Sequence, residues 1–357
     1  MKLKIPSAPW ALLLLALPAT MLALTGCDAV NAQPVAIFRP ESPQATAIHD
    51  LSLTLLGIAA VAFVIVEVWL FAAIFRFRNR PEELAVQTHG NLPLEIGWTT
   101  ATGLVVMAVL AMTVKTMLDV TALPGPVPNS AQAAALPLAS AFPGDTIPVR
   151  VIGHQWWWTF EFPTLNIVTG NEIQVPLDKT IKVQVESDDV NHSFWVPRLG
   201  PKIDAIPGQI NYTSFMAIQQ GDYLGQCAEF CGAEHARMGF RITAVKPEEF
   251  SAWVRDQQAP AGEPVEAAQK AGAQLFQQSC AGCHTVRGTQ AQGKTGPDLT
   301  HFARRKALAA ETLDNMPENL AKWLRDPQEV KPENKMPNLH LDSAAVDHLV
   351  AYLESLQ

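Results

Sequence analysis

Gly225-Gln226-Cys227-Ala228-Glu229-Phe230-Cys231-Gly232-Ala233-Glu234-His235-Ala236-Arg237-Met238 puts two thiols, an imidazole and a thioether within a dozen residues, spaced C-x3-C-x3-H-x2-M. Thiolate and thioether are soft donors that favour copper, and imidazole suits the same metal. Gly225 and Gly232 are turn formers that let such a loop fold both sulfurs toward one point. A disulfide is the competing reading if the chain is exported, because thiols oxidise outside the cytosol. A zinc knuckle is a second, although zinc sites favour C-x2-C pairs and rarely recruit methionine.

The chain upstream supplies a further histidine. His192, in Asn191-His192-Ser193-Phe194-Trp195-Val196-Pro197, follows a run that alternates apolar and polar residues. Similar runs at 149–152, 157–162, 181–185 and 241–245 combine period-two alternation with β-branched residues, the pattern of half-buried strands. Several short strands with turn signals between them predict a β-sandwich. A copper β-sandwich can build its site from a histidine at one strand end and a Cys/His/Met loop at another.

Four motifs in order, Gly153-His154-Gln155-Trp156-Trp157-Trp158, Asn191-His192-Ser193, Asp204-Ala205-Ile206-Pro207-Gly208 and the loop 225–238, make residues 149–254 resemble the copper domain of cytochrome c oxidase subunit II. The resemblance implies a cupredoxin-like fold and a dinuclear CuA centre. The ligands it implies are His192, Cys227, Cys231, His235, Met238 and Glu229 through its carbonyl. The Glu229 side chain would bind magnesium at the interface with subunit I. Trp156 matches the family's exposed tryptophan, where electrons arrive from cytochrome c. The family often carries Tyr where this chain has Trp157. His154 and Asp189 read as buried hydrogen-bonding residues.

The chain has 357 residues, 48% of them hydrophobic, which fits two or three domains together with membrane segments. Its net charge of −8 argues against a nucleic-acid binder and is compatible with basic protein partners. A basic start, Met1-Lys2-Leu3-Lys4, precedes a short apolar run and then Leu24-Thr25-Gly26-Cys27. That is the pattern of an export signal over 1–27, and it resembles a bacterial lipobox with Cys27 as the lipid-bearing residue. An ordinary signal with an incidental cysteine, or an uncleaved anchor, are the alternatives.

Residues 51–75 and 96–118 are each long and apolar enough to span a bilayer, forming a hairpin over 51–118. Arg76, Arg78 and Arg80 between them mark the connecting loop as cytoplasmic, so both flanks face the periplasmic side of a bacterial inner membrane. Glu67 inside the first span suggests a function or a partner helix. Leu94-Glu95-Ile96-Gly97-Trp98-Thr99 also resembles the subunit II pattern. The resemblance makes Glu95 a candidate proton-uptake residue, with a plain interfacial charge as the alternative. Residues 123–148, rich in Pro and Ala, read as a connector opening a copper domain over 123–255.

Residues 256–266 read as a flexible linker and 267–357 as a second, all-α domain. Cys280-Ala281-Gly282-Cys283-His284 is the attachment signature of c-type haem, with His284 on the iron. A redox dithiol or half of a zinc site is the alternative. Met316-Pro317 and Met336-Pro337 both offer a sixth ligand, and Met ligation raises the haem potential. Gly296-Pro297-Asp298-Leu299 and Lys335-Met336-Pro337, ahead of a last helix over 343–356, make the segment from 272 to 356 resemble a class I cytochrome c. That resemblance selects Met336, and His301 and His340 read as surface histidines. With Cys27 set to lipid, no structural disulfide is needed for the five cysteines.

The whole chain thus resembles subunit II of a respiratory oxidase with a fused cytochrome c. The resemblance implies electron passage from a cytochrome c donor through haem c and CuA to subunit I, where oxygen is reduced with proton pumping. Partners would be subunit I, the other oxidase subunits and the bilayer. A nitric oxide reductase subunit with CuA is the nearest alternative. A copper chaperone of oxidase assembly would lack the equivalents of Met238 and the haem motif, and a quinol oxidase subunit would lack the copper ligands.

Overall fold

The computed structural model describes residues 35–78, 89–122 and 146–357. The proposed signal and Cys27, with Arg80 and most of the connector, lie outside the described residues.

Two helices begin at side-chain caps followed by proline, which presets the first turn. In α1 (Pro43–Phe77) the Ser42 hydroxyl accepts from Ala45 N at 2.9 Å, and in α2 (Leu92–Thr121) the Asn91 side chain accepts from Leu94 N at 3.2 Å. Both start before the apolar runs from which spans were read, because the caps and prolines lie several residues earlier. At 35 and 30 residues they exceed the ~20 needed to cross a bilayer, and they lie against each other as a hairpin. Their large apolar side chains face outward, as in a segment whose solvent is lipid or another subunit. Glu67 is half-buried.

The start of α1 is tied to the next domain. Ser42 Oγ donates to Leu199 O at 2.6 Å, Tyr223 OH donates to Glu41 Oε2 at 2.6 Å, and Arg198 pairs with the buried Glu41 carboxylate. This pairing satisfies a charge that would otherwise be costly to bury.

The next domain is a sandwich of two five-stranded sheets. One runs β3 (Ile167–Gly170), β2 (Trp157–Phe162), β1 (Thr146–His154), β5 (Thr180–Ser187), β8 (Asn211–Phe215). The other runs β4 (Glu172–Pro176), β10 (Phe240–Val245), β9 (Gly221–Cys227), β6 (His192–Trp195), β7 (Ile203–Ala205). β1 pairs with β5 in parallel and with β2 antiparallel, while β9 lies antiparallel between β10 and β6. Inward-facing Trp158, Phe160, Phe194 and Phe240 fill the space between the sheets, the last two stacked at 4.8 Å. Such aromatic contacts add to the area each ring buries. A Cβ at Gly225 would lie 2.1 Å from the Phe240 ring, so the loop's first glycine is needed for close approach.

α3 (Pro247–Gln258) follows β10, starts where Glu249 caps Lys246 N, and runs past the linker boundary read at 256 to the point where Ala259 N bonds Arg255 O and Asp256 O. The connecting residues are not loose: Ala261 N bonds Arg287 O at 2.9 Å, and the Arg287 guanidinium donates to Gln257 O at 2.7 Å.

The last domain comprises α4 (Ala267–Ser279), α5 (Pro317–Arg325), the short α6 (Pro327–Val330), α7 (Ser343–Ser355) and a two-stranded ribbon of β11 (Ala307–Leu308) and β12 (Leu313–Asp314). α4 crosses α7 at Gly272, where a Cβ would sit 2.0 Å from His348 O, and one turn on Phe276 packs 5.4 Å from Tyr352. Apart from the ribbon the domain is helical, as expected.

The two outer domains meet across a bonded interface. Arg241 forks onto Glu311 at 3.2 and 2.6 Å, Lys306 Nζ reaches both Asp222 oxygens at 2.7 and 2.6 Å, and Glu172 accepts from Lys306 N and Ala307 N. Gly239 N donates to Ala310 O at 3.1 Å. A Cβ at Gly170 would lie 2.6 Å from Pro297 Cβ, so the strand backbone packs directly on the proline ring of the last domain.

Candidate metal centres

β6 and β9 bring the first centre together. Their register sets Phe194 opposite Cys227, and Ala228 N donates to Ser193 O at 3.0 Å, which carries His192 to the loop. His192, Cys227 and Cys231 are all buried and form a cluster of metal-binding type. The two Sγ atoms are 3.9 Å apart, His192 Nδ1 is 3.9 Å from Cys227 Sγ, and His235 Nδ1 is 3.6 Å from Cys231 Sγ. Met238 Sδ lies 3.2 Å from Cys231 Sγ and Glu229 O lies 3.1 Å from Cys227 Sγ. As thiols, Cys231 can donate to Met238 Sδ and Cys227 to Glu229 O; once they are deprotonated, only acceptors face one another. Lone pairs from sulfur, oxygen and nitrogen thus converge on one buried point, the arrangement a soft cation would satisfy. The donor set fits copper.

The surroundings hold these donors in place. His192 Nε2 is 2.8 Å from Asp189 Oδ1, which can only accept, so the ring proton sits on Nε2 and Nδ1 is left for a metal. Asp189 also accepts from Gln155 N and Val190 N at 2.8 and 2.7 Å, and these bonds with His192 outweigh burial to hold its carboxyl well below the usual range. Burial pushes His192 down, but Asp189 and the Cys227 sulfur together leave it raised. The contact with Cys231, helped by His192, draws the Cys227 thiol down, while the same contact and burial push Cys231 up. Gly232 adopts φ +119°, a conformation glycine takes without strain, and a Cβ there would meet Trp156 at 3.0 Å.

Trp156 is only 7% exposed. The expectation of an exposed residue is corrected here: the last domain covers it. Its indole N–H donates to Cys231 O at 3.1 Å, joined by Gln155 Nε2 at 2.8 Å. His154 stacks on Trp157 at 4.3 Å and bonds Thr159 at 2.9 Å, a structural role as expected.

The second centre is a cavity lined by Cys280, Cys283, His284 and Met336 with apolar side chains from the helices, and by Gln155, Trp156 and Trp157 of the sandwich. His284 Nδ1 donates to Pro297 O at 2.9 Å, leaving Nε2 without the proton, and a Cβ at Gly296 would strike the ring at 2.6 Å. Burial lowers His284 and raises Cys280 to about 11. The imidazole is thus kept neutral and fixed, and the residues fit a thioether-linked haem with His284 on one side. Met336 lines the same cavity, whereas Met316 is 44% exposed and does not. His301 is buried, contrary to its reading as a surface residue, because its ring bonds the C-terminal carbonyl of Gln357 at 2.8 Å. His340 is exposed, as expected.

Glu229 is exposed on the loop beside Phe230, itself 75% exposed. Glu95 sits at the start of α2, its carboxylate accepting from Asn91 N at 3.1 Å. Missed in the sequence were Asp189 as the partner of His192, Gln155, and two lysines from the last domain. Lys331 is buried and donates to Trp156 O at 2.7 Å, and Lys335 Nζ is 3.0 Å from Asp189 Oδ2. The position of Lys335 beside Met336 was the one available signal.

Three family models match in order. They are the transmembrane domain of cytochrome c oxidase subunit II over residues 33–115, its periplasmic domain over 164–245, and cytochrome c over 269–357. Cytochrome c oxidase subunit 2 of Alkalihalophilus pseudofirmus is 34% identical over 94% of this chain and 94% of its own length. The Bacillus subtilis protein of the same name is 30% identical over 98% of each. A crystal structure of the periplasmic domain of subunit II of cytochrome oxidase from Bradyrhizobium japonicum is 36% identical, with a TM-score of 0.32, over 32% of this chain and 96% of that one. End-to-end similarity of this extent, carried by a membrane hairpin, a copper-type sandwich and a haem-type helical domain, means that the chain belongs to the cytochrome c oxidase subunit II family, in the form joined to a cytochrome c domain.

Proposed function

We propose that the chain is the electron-accepting subunit of a respiratory cytochrome c oxidase in a bacterial inner membrane. Two helices hold it there, with the sandwich and haem domain on the periplasmic side. Electrons arrive from a soluble cytochrome c at the haem domain, pass to the sandwich, and leave for subunit I, where oxygen is reduced with proton pumping. The observation that carries this reading is the convergence of Cys227, Cys231, His192 and Met238 beside a cavity that ends on Trp156.

Dinuclear copper would be held by His192, Cys227, Cys231, His235, Met238 and the Glu229 carbonyl. Copper held by the Cys227 and Cys231 sulfurs would supply one-electron chemistry. His192, Cys227, Cys231 and Met238 are buried, which suits a site that relays electrons. Haem would be held by Cys280, Cys283, His284 and Met336, and Trp156 would receive electrons from it across the domain interface. The Glu229 side chain is left free to bind magnesium with ligands from subunit I. The exposed Phe230 beside it suits the same subunit contact. Glu95 would take up protons only if subunit I draws it away from its helix-capping bond. Cys27 would carry lipid as a second membrane anchor.

Oxidation of reduced cytochrome c by the assembled oxidase tests the reading. Cys227→Ser should abolish turnover while leaving the haem band of this chain intact. Full turnover in that variant would refute the proposal.

A further inference from the structure

Asp189 is shared between the two domains. One oxygen takes the Nε2 proton of His192 at 2.8 Å, and the other takes the Lys335 ammonium at 3.0 Å. Lys335 precedes Met336, which lines the haem cavity, and the loop that carries both is braced by its own bonds. Asn334 Oδ1 accepts from Met336 N at 2.8 Å, Asn334 Nδ2 donates to Lys331 O at 2.6 Å, and Gln328 Nε2 donates to Met336 O at 2.9 Å. Four residues earlier in the same loop, Lys331 holds Trp156 O. Two lysines of one braced loop therefore grip two neighbours of the copper-type site: the backbone of Trp156, in the turn between β1 and β2, and the Asp189 carboxylate behind His192.

We propose that Lys335 and Asp189 form a bonded bridge that holds the methionine loop of the haem domain on His192, making both of them positioning residues for electron passage between the two centres. The proposal rests on the two-centre reading given above. Asp189 fixes the tautomer and orientation of His192, and a carboxylate that orients a ligand also tunes it. Lys335 draws on the same carboxylate, so docking of the haem domain is felt at the imidazole. The route Met336–Lys335–Asp189–His192 consists of one covalent link between adjacent residues and two charge-assisted contacts, which are the stronger kind. With the two domains held this way, one electron passes from the haem side to the copper side. No bond forms or breaks and no proton crosses, while the haem side is oxidised by one and the copper side reduced by one.

The experiment compares the parent with Lys335→Gln and Lys335→Arg in the assembled oxidase. Electrons are injected photochemically into the haem, and transfer to copper is followed optically. Lys335→Gln should slow that transfer about tenfold or more, because a small misplacement of reacting partners has large kinetic consequences, and Lys335→Arg should restore most of it. Nitrogen ENDOR on the copper signal should show an altered histidine coupling in Lys335→Gln and the parent coupling in Lys335→Arg. Without regard to metal loading, carbodiimide treatment of the full chain should join Lys335 to Asp189 in one cross-linked peptide. Unchanged transfer and unchanged ENDOR in Lys335→Gln would overturn the bridge while leaving the two-centre reading intact. A parent lacking the copper signal or the haem band would overturn both.

Discussion

Trp156 donates its indole N–H to the carbonyl oxygen of Cys231 at 3.1 Å, while its ring closes the haem-type cavity. One side chain thus touches the copper loop and the neighbouring centre. Trp156→Phe keeps an aromatic ring and removes the donor, and Gln155 still serves the Cys231 carbonyl at 2.8 Å. The copper signal should persist, stability should fall by about 1 kcal/mol, and haem-to-copper transfer should slow. Flash-induced absorbance changes measure the last of these.

The two centres belong to separate cores, one in the sandwich and one among the helices. Met238→Leu should therefore disturb copper binding, read by metal analysis and near-infrared absorbance, and leave the haem band unchanged. Loss of haem attachment in this variant would contradict the independence of the two cores.

Gly272 admits the closest backbone approach between α4 and α7, with His348 O where a Cβ would be. Gly272→Val should destabilise the haem domain by about 3 kcal/mol or more, through overpacking that neither helix can relieve. Thermal melting followed at the haem band would fall, whereas melting followed at the copper absorbance would move little.

Lys331 is buried beneath the sandwich, and burial pushes its amine from 10.5 down to about 7. The docked state thus prefers the neutral amine, while the undocked state keeps the proton up to the ordinary amine range. Between about 7 and 10.5 the undocked state binds more protons, so docking should strengthen as pH rises through that window and level off outside it. Protease cleavage near residues 259–266 should become slower over the same range in the parent. In Lys331→Met that dependence should be lost.

The sequence made the three-part architecture readable because each part depends on a local pattern: unbroken apolar runs, period-two alternation, and the C-x2-C-H motif. β2 lies where the run Trp157–Phe162 predicts it, because aromatic residues recur there with Thr159 and Glu161 between them. The clustering of Cys227 and Cys231 was legible for the same reason, both lying in one short loop. β3, β4, β7 and β8 are not legible, since strands of three to five residues carry too little periodicity, and β9 is hidden because Gly221 and Gly225 interrupt its pattern. The burial of Trp156 and the pairing of Asp189 with Lys335 were also hidden. They depend on how two separately folded domains meet, which nothing local encodes. The close approaches of Gly170 to Pro297 and of Gly239 to Glu311 depend on the same docking.

The central claim is a pair of coppers held by Cys227 and Cys231 beside a covalently attached haem. EPR of the copper-loaded full chain, with metal analysis of the same sample, tests it most directly. The account predicts two coppers per haem and a multi-line or broadened mixed-valence copper signal that disappears on reduction. A four-line signal from a single copper, or no bound copper after careful loading, would contradict it.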